Sequence, residues 1–142
     1  MQTVHATVVA FGSKGVLLRG PSGSGKSDLA LRLIDAGAIL VGDDRVELVK
    51  RHNSIVARCP EAIAGKLEVR GLGIVTQPYC PEVPVTLVVD LADAEDVERM
   101  PEHNAVDVLG CDIAWIRLAP FEASASVKIQ LAVRHSPQEV EA

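Results

Sequence analysis

The sequence predicts an α/β layered domain, and three features carry that expectation. Short runs rich in Val, Leu and Ile recur along the chain. One segment, "KSDLALRLIDAG", has a clear helical stripe. A glycine-rich stretch, "GPSGSGKS" at 20–27, lies between an apolar run and that striped segment. Strands alternating with helices in this way stack into layers around one core.

The elements follow in order. Residues 3–11 and 15–19 read as two strands joined by a tight turn at "GSKG". In the striped segment Leu29, Ala30, Leu33 and Ile34 share one face and Asp28, Arg32 and Asp35 the other, with Gly37 where a C-terminal cap glycine belongs. "AILVGDD" suits a buried strand ending in two carboxylates. "RVELVKRHNSIVARCP" reads as a hairpin turning at His52 and Asn53, and "KLEVRGLGIV" as an alternating strand that meets glycines. "VPVTLVVDL" is a buried strand, "ADAEDVERM" a short acidic helix and "DIAWIRL" a late strand. "ASASVKIQLAVRHS" fits either a strand through Val127, Ile129, Leu131 and Val133 or a helix stripe through Ala125, Ile129, Ala132 and Val133. A single domain over 1–136 and a loose tail over 137–142 are expected.

The totals bound the class. The chain has 142 residues, 48% hydrophobic and 23% charged, which fits one globular unit with a real core. Only 3% are aromatic, so that core rests on aliphatic side chains. A formal charge of −5 argues against a nucleic-acid or anionic-membrane binder, since both need a basic face. Cys59, Cys80 and Cys111 are too few and too scattered for a disulfide framework or a zinc site. With no signal-like N-terminus and no apolar run of membrane-spanning length, a cytoplasmic location is expected.

"GPSGSGKS" satisfies G-x-x-x-x-G-K-[ST] through Gly20, Gly25, Lys26 and Ser27, in the strand–loop–helix setting that makes this pattern a phosphate-binding P-loop. Glycine frees the backbone to fold tightly, so the amides of Pro21's successors Ser22, Gly23, Ser24 and Gly25 can converge on phosphate oxygens. The helix beginning at Lys26 adds its positive dipole end. Lys26 offers a point charge to the β- and γ-phosphates and Ser27 a hydroxyl to Mg²⁺. A nucleoside triphosphate, ATP, with Mg²⁺ is the implied ligand. Phosphoryl transfer to a hydroxyl also needs a carboxylate, and "LVGDDRVEL" supplies Asp43 and Asp44 at the end of a strand expected beside the P-loop strand.

"GVLLRGPSGSGKSDLALRLIDAGAILVGDDRVEL" followed by "LEVRGLGIV" resembles the catalytic domain of HPr kinase/phosphorylase. The resemblance covers residues 3–77 well and implies a phosphoenolpyruvate carboxykinase-like P-loop fold, with a mixed β-sheet flanked by helices. It implies ATP-dependent phosphorylation of a serine of the phosphocarrier HPr, in a short form without the family's N-terminal regulatory domain. By position, His5 matches the family's active-site histidine and the "DD" pair its acid/base carboxylates. Asp44 is favoured as proton acceptor, with Asp43 as its partner or a metal contact. Glu68 matches a second Mg²⁺ ligand, and alternation along "LEVRG" puts Arg70 on the same face, toward phosphate. Across a gap, Arg99 in "DVERMPEH" matches a catalytic arginine.

Two departures leave the phosphorylase direction open: "LAPFEAS" stands where the family commonly carries an arginine- and glycine-rich loop, and the resemblance implies that the family's longer C-terminal helical tail is expected to be truncated here. Other readings are a small-molecule P-loop kinase and a non-catalytic ATP-sensing module. A homo-oligomer, a ring-like hexamer in the family, is expected from the apolar surface of "VPVTLVVDL" and the C-terminal segment.

Overall fold

The computed structural model describes residues 1–102 and 104–135, so the tail expected over 137–142 lies outside the described residues. The chain runs β1 (Gln2–Val4), β2 (Thr7–Phe11), β3 (Lys14–Arg19), α1 (Lys26–Asp35), β4 (Ile39–Gly42), β5 (Val46–Arg51), β6 (Ser54–Arg58), β7 (Lys66–Val69) and β8 (Gly73–Thr76). It continues with β9 (Glu82–Leu91), β10 (Ala105–Val108), β11 (Cys111–Leu118) and α2 (Ala125–Arg134).

A mixed sheet orders its strands β1-β5-β6-β9-β3-β2-β4. The ten-residue β9 is its spine. Residues 82–84 pair antiparallel with β6, and 87–91 pair parallel with β11, which carries β10 as an antiparallel edge. The register of β9 against β3 slips between Gly15 and Val16. That irregularity switches which face the alternation serves: Val83, Val85 and Val88 enter one core while Leu87, Val89 and Leu91 enter the other. The sheet therefore curls around β9 rather than lying flat.

Both helices cover one face. Leu29, Ala30 and Leu33 of α1 are fully buried against Val9, Val16, Leu18 and Val89, and Ala125 and Ile129 of α2 complete that layer. Each leucine so buried contributes about 1.5–3 kcal/mol. α1 ends as its pattern predicted, with the Gly37 amide bonding Ile34 O at 3.0 Å and φ +112° at Gly37. The other face packs Val8, Leu17, Val41, Leu48, Ile55 and Val88, and among the described residues no helix packs over it.

Several expectations need correction. The run 3–11 is two strands, because the chain bends at His5 and Ala6. β1 pairs with β5 while β2 pairs with β3 and β4, so the bend moves the chain from one part of the curled sheet to another. The strand after α1 does not adjoin the P-loop strand: β2 folds back tightly on β3 and takes that flank, leaving β4 next but one.

"KLEVRGLGIV" forms a separate two-stranded hairpin, β7–β8, reversing through Gly71 at φ +92°. The acidic helix expected at 92–100 is only a 3₁₀ turn, Ala94–Asp96, since none of its residues is buried and its few apolar side chains find no core to pack against. The unexpected strand β10 joins β11 through Leu109 and Gly110, both at positive φ, a two-residue hairpin turn. The ambiguous 123–136 segment is helical over α2 because Ala125 and Ile129 meet the core at helical spacing. The apolar residues of β9, expected as a surface between copies, are consumed by the chain's own sheet. Val127 and Leu131 of α2 remain half exposed. Among the described residues no helix is long and apolar enough to cross a membrane.

Candidate active site

The P-loop joins β3 to α1, and its base is pinned before it begins. Arg19, the last residue of β3, forks onto Asp90 near the end of β9, Nε to Oδ1 at 2.8 Å and Nη2 to Oδ2 at 2.9 Å. The indole Nε1 of Trp115 donates to the same Oδ2 at 2.8 Å. Burial pushes the Asp90 carboxyl up, but the hydrogen bonds from Arg19 and Trp115 and the charges of Arg19 and Arg117 outweigh it and hold the group below the ordinary carboxylate range.

Within the loop, Gly23 and Gly25 adopt φ +80° and +99°, which a side chain would strain. A Cβ on Gly25 would also come within 2.9 Å of the Phe121 ring. Of the loop amides, Ser24 N–H bonds Pro21 O at 3.0 Å, whereas the amides of Ser22, Gly23, Gly25, Lys26 and Ser27 find no backbone acceptor among the described residues. Ser24 Oγ is likewise buried without a partner. Unmet donors converging on a loop fit phosphate oxygens. The buried ammonium of Lys26 folds back onto the loop, donating to Gly20 O at 2.6 Å and Pro21 O at 3.0 Å. Burial lowers its pKa, against the opposing pull of the Asp44 and Asp43 charges.

The two adjacent aspartates occupy different worlds. Asp43 is buried, and its carboxylate collects three donors. Oδ1 accepts from Ser27 Oγ at 2.7 Å and Thr7 Oγ1 at 2.9 Å, and Oδ2 from the Glu68 amide at 3.1 Å. Three elements, α1, β2 and β7, thus converge on one carboxylate. Asp44 takes the left-handed conformation, φ 71°, which Asp tolerates better than most residues. That turn sends its side chain out to 70% exposure, where it meets Nε2 of His5. The bend that splits β1 from β2 is what presents His5 there.

A cavity of about 480 Å³ opens over this arrangement, lined by His5, Thr7, Asp44, Glu68, Val69, Arg70, Phe121, the loop residues Ser22, Gly23, Gly25, Lys26 and Ser27, and Asp28 and Leu31 of α1. Glu68 and Arg70 enter it together, two residues apart in the β7–β8 hairpin. Pro21 and Ser24, with Ser22 and Gly23, line a second cleft of about 680 Å³ on the loop's other side. Gly20 lies beneath, where a Cβ would strike Ser24 Oγ at 2.6 Å and Leu91 at 3.3 Å. Arg99 falls in the connection between the 3₁₀ turn and β10, outside the residues lining either space.

The hydroxyl of Ser27 and the carboxylates of Asp43, Asp44 and Glu68 are hard oxygen donors, a set suited to Mg²⁺ shared with phosphates and water. Among the described residues the tightest carboxylate trio is elsewhere, Asp93, Glu95 and Asp96 at the surface.

Sequence reasoning passed over Thr7 and Phe121. Thr7 had a visible signal, a hydroxyl inside a strand of valines, whereas only the folded chain brings Phe121 to the loop.

The HPr Serine kinase C-terminal domain family matches residues 1–135. The chain is similar to the HPr kinase/phosphorylases of Burkholderia lata and Burkholderia cenocepacia, 36% identical over 146 residues in each case. Those alignments cover 94% of this chain and 45% of each relative, so the chain spans less than half the length of these proteins. The solved structure of the Hpr(Ser) kinase/phosphatase from Coxiella burnetii superposes with a TM-score of 0.82 at 28% identity, covering 94% of this chain and 95% of that one. The fold is the P-loop-containing, phosphoenolpyruvate carboxykinase-like arrangement of a mixed sheet with flanking helices. With the match spanning the P-loop, the acidic pair and the sheet that carries them, the chain belongs to the HPr serine kinase C-terminal domain family.

Proposed function

We propose that the chain is an ATP-dependent protein serine kinase acting on an HPr-type phosphocarrier. The observation that carries the reading is the pairing of Asp44 with His5 at the mouth of a cavity walled by the P-loop. The loop amides and Lys26 would cradle the polyphosphate, with Lys26 exchanging the carbonyls of Gly20 and Pro21 for phosphate oxygens. Ser27 and Glu68 would hold Mg²⁺, with Asp43 orienting Ser27 from behind, and the ion would supply charge neutralisation for the polyphosphate.

The acceptor serine enters beside Asp44. Its Oγ attacks the γ-phosphorus, an O–P bond forms, the β–γ bridging P–O bond breaks and ADP leaves. The hydroxyl proton passes to the Asp44 carboxylate, which His5 orients. Arg70 reaches the same space and offers a fork for the transferring group. In the reverse direction, inorganic phosphate attacks the phosphoserine phosphorus and releases pyrophosphate, while protonated Asp44 returns its proton to the serine oxygen.

Incubation with HPr and γ-labelled ATP, and separately phosphoserine-HPr with inorganic phosphate, tests the two directions. Labelled HPr is the expected result of the first. Its absence across a range of Mg²⁺ concentrations, with ATP still bound, would favour a nucleotide sensor instead.

A further inference from the structure

The P-loop has two open sides, and the catalytic groups occupy only one. His5, Asp44, Glu68 and Arg70 share the first cavity with the loop. The second cleft lies between the loop and the segments following β9 and β11, and the two spaces have Ser22, Gly23 and Phe121 in common. We propose that this second cleft is the subsite for the purine base and ribose of the nucleotide, with Phe121 as the surface on which the base stacks. The proposal rests on the nucleotide reading above and specifies where its neutral end lies.

Three observations converge on it. The first is direction. A polyphosphate whose γ end faces Asp44 and His5 must leave the loop with its α end pointing away from them, and the adjoining open space is the second cleft.

The second is charge. The first cavity offers Lys26 and Arg70 to a polyanion. Among the described residues none that lines the second is cationic, and Asp93, Asp96 and Glu122 are among its walls. Such a cleft repels phosphate, yet its carboxylates accept from amino and hydroxyl groups, which a nucleoside carries.

The third is a built support under an exposed aromatic. Phe121 is 73% exposed in a chain with two phenylalanines, a position that burial does not explain. The residues on either side of it are held from α1. The Arg32 guanidinium donates Nη2 to Pro120 O, and Nη1 to Glu122 O at 3.4 Å. The ring edge rests on Gly25, so close that a Cβ there would clash. An aromatic face fixed beside a phosphate loop and open to solvent is suited to stacking a base, and it tolerates any base because each has a π-face.

Calorimetry with Mg-ATP and with Mg-tripolyphosphate separates the two ends of the ligand. Phe121→Ala, at an exposed position that leaves no core cavity, is expected to weaken ATP binding about tenfold. Tripolyphosphate binding should stay within about twofold. Phe121→Trp should restore ATP affinity, with its emission changed by ATP and not by tripolyphosphate. Arg32→Gln, which releases the support, should reproduce the ATP-selective loss.

If Phe121→Ala leaves ATP affinity intact, or weakens both ligands equally, the subsite is overturned while the P-loop reading stands. If the variant binds ATP normally but raises KM for HPr alone, Phe121 contacts the protein acceptor and the subsite is likewise overturned. A wild-type chain that binds neither ligand removes the nucleotide reading and the subsite together.

Discussion

Ser27 and Asp43 form one unit: the hydroxyl that ends the P-loop motif donates to Asp43 Oδ1 at 2.7 Å, sixteen residues along the chain. The two come together although β4, which leads into Asp43, is separated from the P-loop strand by β2. Thr7 bridges that gap from β2 itself, and the Glu68 amide closes the other oxygen. A carboxylate with its acceptor positions so occupied orients its neighbours, and the exposed Asp44 remains as the group that can face a substrate.

That division predicts opposite stability effects at adjacent positions. Asp43→Ala leaves buried donors without acceptors and should destabilise by about 2–3 kcal/mol. Asp44→Asn, at an exposed side chain and with a residue that tolerates the left-handed backbone as Asp does, should stay within about 0.5 kcal/mol of wild type. Urea unfolding of the two variants decides it, and equal losses would show that the pair acts as a single structural element.

Chemistry should divide the other way. Asp44→Asn should lower turnover on HPr by about 100- to 10,000-fold, the usual worth of a positioned base, while Mg-ATP affinity changes less than about threefold. His5→Gln should cost less, because the carboxylate persists without its partner. A loss of ATP affinity that matches the loss of rate would assign Asp44 to metal or nucleotide binding instead.

The parts of this site legible in the sequence are the local ones. Loop, helix start and cap lie within eighteen residues, and glycine, lysine and the Leu29–Leu33 stripe each carry their own physical reason. The "DD" pair was legible as chemistry, and the resemblance favoured Asp44 as the base, but what separates the two was not, because the left-handed turn at Asp44 and the donors around Asp43 arise from β2, α1 and β7 together. Strand order was misread for a related reason. A run of valines shows that a strand is buried, not which partner buries it, and β9 finds β3 about seventy residues away. Phe121 had no local signal, since its importance comes from Arg32, which holds its loop from another element.

Asp90 should make the base of the P-loop sensitive to acid. Its folded pKa lies below the ordinary 3.8, so the stability it contributes is present in full above that value and is lost as pH falls through the lower folded one. Asp90→Asn should therefore cost about 1 kcal/mol near neutrality, allowing for solvent screening of a half-buried pair, and progressively less toward about pH 3. Denaturant midpoints of the two proteins across that range test it. A gap that widens on acidification would contradict the assignment.

Lys26 has the opposite sign. Burial sets its folded pKa below the ordinary 10.5, so between the two values the unfolded chain holds more protons, and raising the pH favours the folded state. Without nucleotide, wild type should gain stability relative to Lys26→Met as pH rises from about 7 to about 10, because deprotonation relieves the cost of the buried charge. The same variant should lose the thermal shift expected of wild type with Mg-ATP, since the cation proposed to face the phosphates is gone. Melting curves of both proteins, with and without Mg-ATP across that pH range, measure the two effects separately. A wild-type advantage that shrinks with rising pH would mean that the Gly20 and Pro21 carbonyls stabilise the ammonium more than burial penalises it. Lys26 would then be a loop staple before it is a phosphate ligand.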